Sequence, residues 1–157
     1  MDALVLKTRI PDSILPFPEA TWDRVKFIFW RTISPFFIQG QGFLLWIGAI
    51  KHGGRQPFKI GRLKTGKTVD EFLKYLERTG FGNHFIAWED DGQIASVRKL
   101  DGFEGQYHLR IFRDGEIRAH YEFTPEAHPV WHLKEVGMEP RRDEFVNAVG
   151  DWVALGE

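Results

Sequence analysis

The sequence predicts a single α+β domain: a mainly antiparallel sheet with helices packed on one face. Three observations predict it. Asp91-Gly92 and Asp114-Gly115 each lie between runs of alternating apolar and polar residues, a strong short-range hairpin signal. Thr68-Val69-Asp70-Glu71 is a capping box opening an amphipathic run of Val69, Phe72, Leu73 and Leu76. The 157 residues, 43% hydrophobic and 27% charged, suit one core without disulfide staples and show no linker or low-complexity tract.

Residues 3–10 read as a strand, and Pro11, Pro16 and Pro18 make 11–20 a loop. Thr21 is a plausible N-cap for a helix running to about Ile33, with Pro35 as its stop. That segment is apolar on nearly every side, so periodicity alone does not separate helix from buried strand. Residues 27–50 hold one charge, Arg31, but Ser34-Pro35 and Gln39-Gly40-Gln41-Gly42 break the run and argue against a transmembrane span. Residues 43–51 and 58–64 then read as paired strands joined by His52-Gly53-Gly54-Arg55-Gln56. The capped helix covers 68–80 and ends at Gly80 and Gly82. Two consecutive hairpins, 84–100 and 106–123, follow, and a last helix over 141–155 buries Phe145, Val146, Val149, Trp152 and Val153.

The second hairpin admits a register argument. A three-residue loop, Arg113-Asp114-Gly115, pairs Ile111 with Ile117 and Leu109 with Ala119. Tyr107, Leu109, Ile111, Ile117, Ala119 and Tyr121 then share one face, which the helices cover. The other face gathers His108 opposite His120 and Arg110 opposite Arg118. Two histidines can serve as general base and acid near neutral pH, and two arginines can hold a phosphate. His108, His120, Arg110 and Arg118 are therefore the candidate catalytic set of a metal-independent phosphodiesterase or ribonuclease. The plainer reading is a solvated polar sheet face.

Charge is segregated along the chain. Residues 24–69 carry nine bases and no acid, whereas residues 70–157 carry ten bases and eighteen acids. A basic face collects polyanions, and Lys59, Arg62, Lys64 and Lys67 beside a helix N-terminus form a candidate anion site. The competing reading is mutual neutralisation of the basic and acidic segments.

Gly61 to Thr68 formally matches the phosphate-loop pattern G-x4-G-K-[ST]. The resemblance to P-loop nucleotide hydrolases stops there. Leu63 and Lys64 are bulky where backbone must wrap phosphates, and antiparallel hairpins replace the parallel crossovers that fold requires. His120, Glu122, His128 and His132 are a conceivable metal set, but Pro129 makes His128 a cap or loop residue and no strict metal signature is present. The sequence reading assigns neither metal nor cofactor. The absence of cysteine excludes disulfides, cysteine-ligated zinc and a thiol nucleophile, and the chain's start shows no secretory leader pattern. The expectation is an intracellular, cytoplasmic protein. Its leading function is binding nucleic acid or another polyanion through residues 51–67. The alternatives are the phosphodiesterase and a protein-interaction module using the aromatic N-terminal third around Phe36, Phe37 and Trp46.

Overall fold

The computed structural model describes residues 10–49, 57–84, 90–133 and 141–156. The strand expected at 3–10 lies almost wholly outside them, as do the 52–56 connection and Lys51, Arg55 and Pro140. A long helix, α1 (Thr21–Trp46), leads to strand β1 (Phe58–Leu63) and helix α2 (Val69–Arg78). Strands β2 (Gly82–Asn83), β3 (Gln93–Asp101), β4 (Gly105–Phe112) and β5 (Glu116–Phe123) follow. The chain ends in α3 (Pro129–Leu133), α4 (Arg142–Val149), a 3-10 turn and β6 (Val153–Leu155). The six strands form one sheet in the order β2-β3-β4-β5-β1-β6, each neighbouring pair antiparallel.

The β4–β5 register has Ile111 opposite Ile117, Leu109 opposite Ala119 and His108 opposite His120. Gly115 makes this loop possible: its φ is +83° and its amide donates to the Phe112 carbonyl at 2.9 Å. The apolar face of the sheet carries Val97, Leu109, Ile111, Ile117 and Tyr121. Phe72, Leu73 and Leu76 of α2 and Phe145 and Val149 of α4 bury it. Helix α2 starts with the full reciprocal capping box between Thr68 and Glu71. The hairpin around Asp91-Gly92 is seen at its ends, where Asn83 pairs with Val97, while residues 85–89 are not described.

Three elements differ from expectation. Helix α1 passes through Pro35 instead of stopping, and takes in residues 43–46, which read as strand. Pro35 leaves the Arg31 carbonyl without its usual amide four residues on, and the Ser34 hydroxyl donates to that carbonyl at 3.4 Å. The partners of β1 are therefore β5 and β6, not residues 43–51. The last helix ends at Val149 because Gly150 adopts φ +50°, and Val153–Leu155 adds an edge strand to β1. The helix begins one residue after Ala20, so Thr21 is its first residue, not its cap.

That edge pairing is tight. A Cβ on Gly61 would lie 2.1 Å from the Ala154 carbonyl oxygen, a backbone atom that no rotamer change can move. Gly61→Ala is expected to separate β6 from β1, read as fast hydrogen exchange at the Gly156 amide, which donates to Ile60 at 2.9 Å. Unchanged protection there would refute the tight approach.

Candidate metal centre

The second face of the sheet is polar and nevertheless buried. Strand alternation places Ser96 and Arg98 of β3, Gln106 and His108 of β4, and His120 and Glu122 of β5 on it. His84, whose amide donates to the Ser96 carbonyl at 3.1 Å, follows β2 onto the same face. His132 arrives from α3, its Nδ1 2.8 Å from the Phe123 carbonyl. His84, Ser96, Arg98, Gln106, His108, His120 and Glu126 are all buried. A buried polar layer of this kind needs every group partnered.

Glu122 is the centre. Its Oε1 lies 3.1 Å from His108 Nδ1 and 3.6 Å from His84 Nε2, and its Oε2 lies 3.0 Å from His120 Nε2. His108 Nδ1 and His120 Nε2 are 3.2 Å apart. His84 and His108 stack with ring centroids 4.7 Å apart, across the small Ser96. One donor atom each from His84, His108 and Glu122 falls within 4.8 Å of the others. Ligand bonds of about 2.0–2.1 Å to a tetrahedral ion put neighbouring donor atoms roughly 3.4 Å apart. The observed separations bracket that edge.

The electrostatics suit ligands. Burial pushes His84 down to about 3, with the positive charge of Arg98 acting the same way. Burial likewise holds His108 well below its ordinary value. Burial alone would raise Glu122, but the imidazoles of His120, His132 and His108 around it, with the His108 hydrogen bond, outweigh it and hold the carboxyl well below the usual range. Neutral His84 and His108 beside an ionised carboxylate are in the protonation states a metal ion requires.

A second layer orients this set. Ser96 Oγ lies 2.7 Å from His108 Nε2, the ring nitrogen remote from Glu122. The Gln106 amide donates to Glu122 Oε1 at 2.6 Å and reaches His84 Nε2 at 2.8 Å. Its orientation is set by Arg98, whose Nη1 donates to Gln106 Oε1 at 2.9 Å. Arg98 is in turn clamped by both oxygens of buried Glu126, at 2.9 and 3.1 Å, and by the Ser13 carbonyl. A partner on the far nitrogen, as Ser96 is for His108, is what fixes tautomer and ring angle in metal sites.

His108 and His120 are thus neighbours as the register requires, but the two arginines are engaged elsewhere. Arg110 donates to Asp90 at 2.6 Å, while Arg118 donates to Glu116 at 2.5 Å and stacks over Phe112. Of the conceivable metal set, His120, Glu122 and His132 come together and His128 does not. His128 packs against Phe123 and Trp131, and its carbonyl accepts the His132 amide at the start of α3. His84 joins the group instead. Sequence spacing gives no sign of it, because the set is assembled across four strands. Extending the register argument to the Asp91-Gly92 hairpin, which sets His84 beside Ser96, is the signal that finds it.

The basic strand is largely matched by acids. Lys59 lies 3.5 Å from Glu116, Arg62 lies 2.7 Å from Asp114, and Lys64 lies 3.6 Å from Asp151. Lys67 sits over the Trp152 ring at 4.5 Å. Around Gly61–Thr68 every strand neighbour is antiparallel, so the phosphate-loop pattern is here a strand end, a turn and a capped helix. No helix among the described residues is long and apolar enough to cross a membrane. Comparison with family models, with curated proteins and with solved structures finds no match.

Proposed function

We propose that this protein binds one divalent first-row transition-metal ion through His84, His108 and Glu122, with His120 as a further donor. The observation that carries the reading is the convergence of three buried imidazoles on one partly buried carboxylate at ligand-edge distances. Imidazole nitrogen with a single carboxylate suits zinc, nickel, cobalt, copper or iron, whereas calcium and magnesium prefer oxygen cages. The same burial disfavours hydrolysis of a nucleic-acid backbone by His108 and His120, which a polymer would have to reach. Pairing of Lys59, Arg62 and Lys64 with acids likewise leaves polyanion binding through residues 51–67 the weaker reading.

Equilibrium dialysis against zinc and the visible spectrum with cobalt(II) test the proposal. One bound ion per chain is expected, with the intense absorption of a low-coordinate nitrogen–oxygen cobalt site. Ser96→Ala should weaken binding about 10–100-fold, as loss of an outer partner does elsewhere, and Glu122→Gln should weaken it further. Absence of stoichiometric binding by the folded protein, or equal binding by Glu122→Gln, overturns the reading.

A further inference from the structure

We infer that α1 is the docking surface for a second copy of this chain, the two helices lying antiparallel. The inference is independent of the metal site. Trp22, Phe29, Phe36 and Phe43 recur every seven residues along α1, and Val25, Thr32, Gln39 and Trp46 recur at the same interval three residues later. These are the a and d positions of a heptad, the line along which two helices keep contact. The opposite side of α1 faces the body of the protein, where Trp30 and Ser34, four apart, are buried.

The large residues of this line face solvent. Trp22 is 69% exposed, Phe29 53%, Phe36 74%, Phe43 60% and Trp46 81%. With about 150–250 Å² per aromatic side chain, these five rings leave on the order of 700 Å² of apolar surface along one helix. Two copies meeting there would bury roughly 1,400 Å², within the range of stable, specific interfaces. A monomer rarely exposes so large a contiguous patch.

Antiparallel pairing is what the side-chain volumes favour. It sets Trp22 against Trp46, Val25 against Phe43, Phe29 against Gln39 and Thr32 against Phe36. Apart from the tryptophans at the two ends, each large ring then meets a smaller partner. A parallel pair would stack Phe29 on Phe29 and Phe36 on Phe36, and leave Thr32 facing Thr32 across a gap. Charge agrees. Asp23, Arg24, Lys26 and Arg31 all lie in the first half of α1, and residues 32–46 carry none, so antiparallel helices keep the two basic halves apart.

A lipid surface is the other covering for such a helix, and two of its three cations speak against it. Lys26 is bonded to Asp23 at 2.8 Å, and Arg24 turns back onto the Pro18 carbonyl at 2.9 Å and the Phe17 ring. Neither is presented to an anionic headgroup.

Sedimentation of the full chain tests the dimer. Two 18.3 kDa copies are expected to travel together, and Phe29→Glu with Phe36→Glu should give a monomer with an unchanged circular dichroism spectrum. Each ring lost from the seam should weaken the dimer roughly 30-fold, the effect of one interface hot spot. Because the chain has no cysteine, Trp22→Cys protein can be mixed with Trp46→Cys protein under mild oxidant. Cross-linked heterodimers should dominate. A wild-type monomer at every concentration overturns the proposal, as does a dimer that survives both glutamates or one cross-linked Trp22→Cys to Trp22→Cys. Flotation of a monomer with phosphatidylglycerol vesicles would give the face to lipid and overturn it equally.

Discussion

Glu126→Ala is expected to cost about 3–5 kcal/mol of stability, the usual penalty for leaving a buried charge without its partner. The Arg98 guanidinium is wholly buried and bonded to both Glu126 oxygens. Removing the carboxylate takes away this bidentate partner, while the Gln106 side-chain oxygen and the Ser13 carbonyl that also accept from Arg98 carry no charge to replace it. At 2–4 °C per kcal/mol for a domain of this size, the melting temperature should fall by roughly 10 °C or more. The control is the double replacement Arg98→Met with Glu126→Leu. Taking both charges away removes the desolvation cost with them, so most of the stability should return. Urea unfolding measures both. A loss below about 1 kcal/mol in Glu126→Ala would mean that the pair is solvated, as surface ion pairs are. The double variant has a further use. It removes the donor that orients Gln106, so a stable protein with weakened metal binding would isolate the positioning role from the structural one.

How much of this was legible in the sequence depends on how local each determinant is. The capping box at Thr68 and the glycine at 115 act within a few residues, and both the helix and the hairpin register follow from them. Register then places His108 beside His120 without knowledge of anything else in the fold. The burial of that face is not local. It depends on Glu126, Ser13 and His132 arriving from three separate segments, and alternation alone reads a His-Arg-Glu face as solvent-facing. Helix α1 was obscured for a different reason. Its exposed aromatics hide the amphipathic period, and Pro35 signals a stop that Ser34 compensates. The segregation of charge was visible in the sequence, yet its resolution lies in pairs such as Arg62 with Asp114, 52 residues apart.

Saturating zinc is expected to raise the stability of the wild-type protein by about 2.7 kcal/mol at a hundred times the dissociation constant. The ion binds a preassembled set in the folded chain and finds no such set in the unfolded one, so its binding energy adds to folding. For a domain of this size that is a rise of roughly 5–10 °C in melting temperature. Part of the gain is offset where the unfolded chain's six histidines bind weakly. A chelator should reverse the shift, and magnesium should not produce it, since neutral imidazoles replace the oxygens it prefers. His108→Ala and Glu122→Gln should each abolish the shift even where the variant itself folds. The discriminating variant is His128→Ala. His128 packs on Phe123 and Trp131, apart from Glu122, so its replacement should leave the zinc-dependent rise intact while His84→Ala removes most of it. Calorimetry of these four variants with and without zinc reads the result. An equal rise in His84→Ala and wild type, or loss of the rise in His128→Ala alone, would move the ion away from Glu122 and end the proposal.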